Sequence, residues 1–358
     1  MKILHIAPFN TAGVPMEFVR AEGALGHESR LVTLGPSRLK FEEDICLDLP
    51  LIDHWSIRLA KKIFSPKKRT DVSFKVKPEI KENPRIWRPN QMETWLIRIR
   101  EKFWHLKIEN AINKYDLLNF DVYQLDGGLG FFRDARIIRQ LKSQGKKIIC
   151  CYTGSDLRVR GIIPVIDEIS DLNVSVEFDH QFLHPNLTHV PFPINPEKYE
   201  KGNPPKSEKI IITHAPTNRA AKGSDIIIPI VKQLEREYPI KLVLIENMPY
   251  KEAIRRKAES HIFIDQIGDL GYGISGLEAL SMGIVTCSCV APGFEKIYPD
   301  HPFVLIDERN LRKQLIRLIE NENLRSGIIK KGLEWVRRVH HSQAVVQKIH
   351  ILLKQRTI

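Results

Sequence analysis

The sequence predicts an α/β protein made of two Rossmann-like domains, each built on a parallel sheet. Three observations support this prediction. Strand-like apolar runs alternate with helix-like runs along both halves, a proline-rich segment separates the halves, and the length of 358 residues suits two domains of about 150–200 residues each. Strands separated by helical segments indicate parallel β-α-β units, and a hydrophobic share of 42% is enough for two cores.

The first half of the chain begins with this alternation. Its two predicted helices each end before a glycine, a residue that favours helix ends, and they span 14–25 and 131–144. The predicted strands are short apolar runs at 2–7, 29–34, 121–125, 147–152, 173–176 and 188–190. The segment 191–208 then holds five prolines and few apolar residues, which is typical of an interdomain linker.

The alternation resumes after the linker. Predicted strands occupy 209–213, 240–245, 261–264 and 284–288. Predicted helices occupy 224–237, 250–258, 275–282, 310–319 and 323–339, and a basic amphipathic helix is expected over 340–355. Pro229 is expected in the first turn or so of its helix, where a missing N–H costs little. The domains are therefore expected at 1–195, with an insertion at about 37–115, and at 205–339, followed by a terminal segment at 340–358.

The composition limits the class of protein. The net charge of +12 favours anionic partners, and no apolar run reaches the length of about 18 residues that a membrane span requires. The first residues are too few and too polar for a signal peptide, and the five cysteines form no C-x-x-C pair. We therefore expect a cytoplasmic protein with buried, reduced thiols. No metal-ligand spacing occurs, so no metal is expected.

Two stretches of the second half, 212–223 and 264–283, carry the clearest functional pattern. Each passes from a strand-like run through a loop of glycine and polar residues into a helix-like run. Free N–H groups at such a helix start face a phosphate, so each stretch is typical of an anion pocket. Arg219 and Lys222 place two cations at the first loop, where they would stabilise the charge of a leaving diphosphate. The alternative is that both are solvated basic residues of a loop.

The motif Gly271-Tyr-Gly-x4-Glu-Ala-Leu-Ser-x-Gly283 resembles the Gly-Phe-Gly-x4-Glu-Ala-Met-Ala-x-Gly motif of the family-4 ("group 1") glycosyltransferases, which have the GT-B fold. The helix entry at Lys222-Gly223 matches the place where that family binds the donor diphosphate. The first half is similar more loosely, at 11–14, 25–28 and 154–158. The resemblance covers most of the chain except about 37–115.

This resemblance implies two Rossmann-like domains that face each other across a cleft, with a C-terminal helix that packs back on the N-terminal domain. It implies transfer of a sugar from a nucleoside diphosphate donor to a saccharide or lipid-linked acceptor. It further implies retention of configuration, as in a hexosyltransferase, with no metal and no cofactor beyond the nucleotide sugar. Polysaccharide or glycoconjugate synthesis is the expected setting.

The resemblance also assigns residues. Glu278 corresponds to the glutamate that accepts hydrogen bonds from the ribose hydroxyls in the family. The family's other glutamate, eight residues earlier, is replaced by Leu270, and the neighbouring Asp269 is the candidate substitute. The family's loop arginine corresponds to Pro216, and Arg219 is the candidate substitute for it. The other candidates for donor binding lie in the same loops or in the first strand-to-helix turn: Gly13, His214, Gly223, Gln266, Gly271, Tyr272, Gly273 and Ser275.

Several candidates have a purely structural alternative. Gly13 suits a plain tight turn, and Tyr272 either packs under the sugar or fills a gap. Asp126 and Asp156 follow two strands of the first half and are candidate catalytic carboxylates facing the interdomain cleft. Asp156 alternatively forms an ion pair with Arg158.

The insertion differs in composition from the rest of the chain. Its residues 54–115 hold 16 Lys/Arg against 6 Asp/Glu and four of the five tryptophans. Basic residues interleaved with aromatics suit an anionic membrane surface or a lipid-diphosphate acceptor, so peripheral contact with the inner face of the membrane is expected. The helical spacing of Trp95, Ile99, Phe103 and Leu106 fits this role and equally fits packing against the domain.

Two other functions remain open on the sequence. One is a nucleotide-sugar 2-epimerase of the same fold, which needs acid–base carboxylates and histidines around the sugar. The other is a non-catalytic protein that binds a nucleotide sugar or a polyanion, which the missing first glutamate favours. No recognised nucleic-acid motif accompanies the positive charge, so no nucleic-acid partner is expected.

Overall fold

The protein is described here from a computed structural model, which covers residues 1–52, 83–205, 209–268 and 271–356. Within these residues the chain divides into two compact units. The first unit contains residues up to Pro193 together with those from Ser342 onward, and the second contains Ile194–His341. The chain therefore passes from one unit to the other after Pro193 and again after His341.

The first unit is built on a sheet of seven described strands, all paired in parallel, in the order β3-β2-β1-β4-β5-β6-β7. The first six strands follow the order of a Rossmann sheet, which reverses direction between β1 and β4. The strands are β1 (Lys2–Ala7), β2 (Glu28–Thr33), β3 (Ile45–Cys46), β4 (Val122–Asp126), β5 (Lys147–Tyr152), β6 (Leu172–Ser175) and β7 (Thr188–His189).

Five described α-helices accompany this sheet. They are α1 (Val14–Ala24), α2 (Gln91–Tyr115), α3 (Arg136–Ser143), α4 (Pro164–Ile169) and the terminal helix α12 (Ser342–Gln355). The terminal helix packs against α1. In α2 the Asn90 side chain accepts the N–H of Glu93 and the Glu93 carboxylate accepts the N–H of Asn90, a capping box that stabilises the helix start.

The second unit is built on five described parallel strands in the order β12-β11-β10-β8-β9, another doubly wound order, with its reversal between β8 and β10. The strands are β8 (Ile210–His214), β9 (Ile240–Leu244), β10 (Ile262–Ile264), β11 (Val285–Ser288) and β12 (Val304–Leu305). Its helices are α5 (Arg219–Lys222), α6 (Ser224–Leu234), α7 (Tyr250–Ala258), α8 (Ile274–Ser281), α9 (Phe294–Ile297), α10 (Leu311–Glu320) and α11 (Glu322–His340). The predicted α/β class with two parallel sheets is confirmed.

Two sequence expectations about helices were wrong. The helix expected from residue 131 begins at Arg136, because Ala135 has a left-handed φ of 59° and Phe131 and Phe132 belong to the core as part of a turn. Pro229 lies in the second turn of α6 rather than the first. Within the described ranges, no helix combines the length and the apolar character that a membrane span requires.

A buried ionic cluster holds the centre of the first unit together. His5, in the middle of β1, places Nδ1 3.0 Å from the Asp126 carboxylate on β4 and Nε2 2.9 Å from the Glu22 carboxylate on α1. His350 of the terminal helix lies 3.5 Å from the same Glu22. Burial alone would lower the pKa of His5, but the two carboxylates raise it to about 10. The cluster therefore ties β1, β4, α1 and the terminal helix through one charged imidazole.

Replacing His5 should destabilise the fold strongly. His5→Asn leaves the Glu22 and Asp126 carboxylates buried without their cation, so urea unfolding should lose about 3–5 kcal/mol. The matched control is Glu28→Gln, which removes the exposed Lys2–Glu28 pair and should cost no more than about 1 kcal/mol. A His5→Asn variant as stable as this control would contradict the prediction.

The same cluster predicts a pH dependence. The pKa of His5 is raised from 6.5 to about 10, so its stabilisation is fully present below pH 6.5 and is lost as the pH rises through 10. Burial would raise the pKa of Glu22, but His5 contributes most to lowering it to about 2, so its stabilisation is lost only as the pH falls through that value. The free energy of unfolding of the wild type should therefore decline from pH 6.5 towards 10, and His5→Asn should remove that slope.

Candidate functional site

The candidate site lies where the second sheet reverses its strand order. Strands β8 and β10 are neighbours there, and ligands of open α/β sheets bind beyond the carboxyl ends of strands at such a point. His214 ends β8, and Asp265 follows β10 directly. Both predicted phosphate loops begin at these two positions.

Lys222 and Asp265 bring the two loops together. The Lys222 ammonium lies 2.7 Å from one Asp265 carboxylate oxygen, and the other oxygen accepts the N–H of Gly273 at 2.8 Å. Asp265 is 1% exposed, whereas the Lys222 side chain is 17% exposed. An ammonium group has three N–H donors, so this pairing fixes the cation and leaves donors for a ligand. Asp265 was not among the sequence candidates, although a carboxylate directly after a buried strand could have indicated it.

Glycine is required where the two loops touch. Gly223 has a φ of +68°, and a Cβ there would lie 3.0 Å from the main-chain oxygen of Ile267. Gly271 has a φ of +91°, in the left-handed region that side chains rarely adopt. Gly273, in contrast, has extended backbone and contributes its N–H to Asp265. The Asp269 and Leu270 positions lie outside the described residues.

His214 has a structural role. Its buried ring contacts the Ile264 carbonyl oxygen through Nδ1 and the Ser224 hydroxyl through Nε2, each at 2.8 Å. Burial is the main cause that lowers its pKa, so the ring is neutral, with Nδ1 donating and Nε2 accepting. Both nitrogens are thus engaged within the second unit, where His214 positions β8 against β10 and α6, and its role in donor binding stays a prediction.

Glu278 lies in a buried polar cluster. One carboxylate oxygen accepts the Tyr250 hydroxyl at 2.8 Å, and the other pairs with the Lys257 ammonium. Lys257 also donates to the Ser275 hydroxyl at 2.8 Å. Glu278 and Lys257 are 3% and 2% exposed. Lys257 and Tyr250 were not among the sequence candidates, although their spacing of seven residues on α7 places them on one face of that helix.

Tyr272 belongs to an aromatic cluster of the second unit. Its ring stacks on Phe303 at 4.6 Å and meets Phe294 and Trp335 edge-on. Its hydroxyl lies 3.2 Å from His340 Nε2, and the residue is 7% exposed. The ring is therefore a core element, which agrees with the gap-filling alternative considered from the sequence. Neighbouring Gln266 is also buried.

Arg219 does not lie free beside the loop. Its guanidinium forms two hydrogen bonds with the Glu246 carboxylate, at 2.8 and 2.6 Å, and the Arg219 side chain is 53% exposed. This pairing mainly accounts for a lowered pKa of Glu246. The Arg219 guanidinium, which was expected to bind a phosphate, thus binds a carboxylate of the same unit.

The two candidate carboxylates of the first unit also have structural partners. Asp126 is 2% exposed and accepts from His5 and from the Gln124 amide at 2.9 Å. Asp156 accepts the N–H groups of Thr153 and Gly154, each at 2.8 Å, and so stabilises its own turn. Each of these two carboxylates thus satisfies donors that the fold would otherwise bury without a partner.

The remaining first-unit expectations concern Arg158 and Gly13. Arg158 pairs with Glu177 and Asp179, so the Asp156–Arg158 pair considered from the sequence does not form. Gly13 has a φ of +75° next to the ring of Phe41, as a tight turn requires. No group of three or more His, Cys, Asp or Glu in the described parts of the chain is placed to hold a metal ion.

Comparison with known proteins identifies the fold of this chain. No family model matches the sequence, and no curated protein matches it. Solved structures do match along nearly their whole length. Sucrose-phosphate synthase from Thermosynechococcus elongatus has a TM-score of 0.62 at 11% identity, with 99% of each chain covered. WaaG, a glycosyltransferase of lipopolysaccharide biosynthesis, has a TM-score of 0.56 at 11% identity, covering 98% of this chain and 99% of WaaG.

A third match is Anabaena HepE, solved in complex with UDP and glucose. Its TM-score is 0.58 at 10% identity, with 99% of each chain covered. Each of these structures is similar in fold and distant in sequence. The chain therefore has the GT-B fold of glycosyltransferases, with two Rossmann-like units.

Proposed function

We propose that this protein is a glycosyltransferase that binds a nucleoside diphosphate sugar in its second unit. The observation that carries the proposal is the Lys222–Asp265 pair, which holds an ammonium group between two glycine-containing loops at the reversal point of the sheet. Structures of HepE contain UDP, UDP with glucose, or UDP-glucose, which supports a nucleotide sugar as the ligand. The acceptor is proposed to be a saccharide or a lipid-linked saccharide.

Lys222 would act on the leaving group. When the bond between the anomeric carbon and the diphosphate oxygen breaks, negative charge develops on that oxygen. A fixed cation stabilises this charge without having to reorganise, and Asp265 provides the fixation. Helix α8 starts at Ile274, beside the same pair, and a helix N-terminus favours an anion. We propose that no metal ion takes part.

The proton of the acceptor hydroxyl would go to the leaving diphosphate. Asp126 and Asp156 both hold donors of their own fold, which makes them poor candidates for a general base. The acceptor oxygen would attack the anomeric carbon on the face that the diphosphate leaves, the new C–O bond would form there, and a diphosphate oxygen would take the proton. Transfer of this kind retains the configuration of the sugar.

Arg219 and Glu278 would complete the donor site. The Arg219 side chain is 53% exposed, and water weakens an exposed ion pair, so a diphosphate can displace Glu246 at little cost. Glu278 keeps acceptor capacity after binding Tyr250 and Lys257, because each carboxylate oxygen accepts about two hydrogen bonds. We propose that a ribose hydroxyl donates to it.

Lys222→Ala should lower turnover by about 100-fold or more, because it removes a donor aimed at developing charge. Release of nucleoside diphosphate from a panel of nucleotide sugars, beginning with UDP-glucose, measures this. Lys232→Ala, an exposed lysine on α6, is the matched control and should keep full rate.

Removing Lys222 also leaves Asp265 without its cation, so thermal unfolding must be measured for each variant. Lys222→Arg keeps the charge and serves as a second, better-folded test. A folded Lys222→Ala variant with wild-type turnover would exclude Lys222 from the reaction.

A second candidate function is a non-catalytic protein that binds a nucleotide sugar or another polyanion. One observation favours it: Asp126 and Asp156, the two candidate catalytic carboxylates, both accept hydrogen bonds from donors of their own unit. The panel distinguishes the two functions. A nucleotide sugar should raise the melting temperature of a binder without any release of nucleoside diphosphate. An enzyme should show the same rise and also release nucleoside diphosphate.

We also propose that α2 contacts an anionic membrane. Trp95, Phe103 and Leu106 share one face of this helix and are 61%, 63% and 71% exposed. Each of these three side chains is more than half exposed, whereas Ile99 of the same predicted face is partly buried. Lys102 and Lys107 lie exposed beside them, as contact with anionic lipid requires. Trp55 and the basic run at 61–69 lie outside the described residues.

Replacing Trp95, Phe103 and Leu106 together by serine should weaken binding to vesicles of phosphatidylglycerol and phosphatidylcholine by about 10-fold or more, because apolar area no longer enters the lipid. The side chains are exposed, so the fold should be unaffected. Ile297→Ser, an equally exposed apolar side chain on α9, is the control. Equal vesicle binding by the triple variant and the control would dismiss the membrane contact.

A further inference from the structure

The first unit contains a cleft of about 650 Å³ that the proposed donor chemistry does not use. It lies between α2 and the loop before α3. We call it the arginine cleft, after its four basic lining residues: Arg98, Lys102, Arg133 and Arg136. Trp87 and two carboxylates, Glu101 and Asp134, also line it.

Arg133 is the central residue of the arginine cleft. Its guanidinium forms no hydrogen bond or ion pair with any residue in the described ranges, and its Nη1 is buried without a partner. It lies over the ring of Trp87, with 5.5 Å between the guanidinium carbon and the ring centre. Burial, followed by the charges of Arg160 and Arg100, lowers the pKa of Arg133 to about 9. A cation in such surroundings is stabilised by any anion that reaches it.

The carboxylates of the arginine cleft supply that anion only in part. Glu101 accepts the main-chain N–H of Arg133 at 2.8 Å, and its charge raises the pKa of Arg133, but the Glu101 carboxylate accepts no hydrogen bond from the Arg133 guanidinium. Asp134 is engaged by the Arg136 side chain at 2.8 Å. Arg160 donates to the main-chain oxygen of Gly127 instead of to a carboxylate.

A neighbouring arginine adds to the excess of positive charge. Arg100 stacks over Trp104 at 4.2 Å, and its Nε and Nη2 are buried without partners among the described residues. Arg98 and Lys102 project from the exposed surface of α2 at the same cleft. The cleft is therefore lined by four cationic side chains against two carboxylates, and both carboxylates already accept hydrogen bonds.

We propose that the arginine cleft binds a phosphate group carried by the acceptor, either a sugar phosphate or a lipid-linked phosphate. A phosphate carries between one and two negative charges and accepts paired hydrogen bonds from a guanidinium fork. The volume of the cleft leaves room for a sugar ring beside Trp87. The assignment of this phosphate to the acceptor rests on the proposed function, whereas phosphate binding in the cleft does not depend on sugar transfer.

The test is a titration of the full chain with glucose 1-phosphate, without nucleotide, followed by calorimetry and tryptophan fluorescence. Arg133→Gln should weaken binding about 10- to 100-fold, the effect of losing a hydrogen bond to a charged group. The double variant Arg98→Gln with Lys102→Gln should weaken it similarly, and it changes only exposed side chains. Arg139→Gln, an exposed arginine of α3, is the matched control and should bind as the wild type does.

Two further variants locate the binding. The weakening should persist in a Lys222→Ala background, which removes the proposed donor site from the measurement. Trp87→Phe should abolish the fluorescence change while the calorimetric signal remains. The test of Lys222 measures turnover and this one measures binding without nucleotide, so either proposal can fail while the other holds.

A parallel titration with vesicles of phosphatidic acid in phosphatidylcholine separates the two sources of phosphate. Weaker binding of glucose 1-phosphate by the cleft variants assigns a soluble phosphorylated acceptor. Weaker binding of the vesicles alone by Arg133→Gln, which is not part of the proposed membrane surface, assigns a lipid-borne phosphate, and either result supports the phosphate site. The proposal is overturned if the wild type binds neither probe, or if the cleft variants bind both probes as Arg139→Gln does.

Discussion

A buried carboxylate at the end of a strand organises the second unit. Asp265 is almost inaccessible to water, so both its oxygens must find donors within the protein. It finds them in the Lys222 ammonium and the Gly273 N–H, which come from two different loops. The arrangement of both loops, and with it the donor site we propose, depends on this one carboxylate.

The first unit contains a counterpart at its own reversal point. Asp126 ends β4, beside β1, and pairs with the buried cation of His5. The difference lies in the cation. His5 is fully enclosed and its second nitrogen is bound to Glu22, whereas Lys222 remains partly exposed. The same construction thus serves stability in the first unit and leaves a cation for a ligand in the second.

The sequence was sufficient for what depends on local pattern. Alternating runs predicted both sheets, and the loops at 212–223 and 264–283 were located before their geometry was known. The sequence was insufficient where the role of a residue depends on partners that are distant along the chain. Tyr272 became a core ring because Phe303 and Trp335 come from later elements, and Glu278 met Lys257 from a preceding helix. Arg219 begins the short helix α5 rather than lying in a loop, and its partner, Glu246, follows another strand.

The first unit is built from two separate segments of the chain. One segment extends up to Pro193 and the other begins at Ser342 with the terminal helix α12, and Glu22 of the first segment contacts His350 of the second. During synthesis on the ribosome, the second unit leaves the exit tunnel while the first still lacks its last helix. The first unit must therefore wait, with part of its apolar face uncovered, until residues Ser342–Gln355 have been synthesised. A nascent chain of this kind is most exposed to aggregation over that interval.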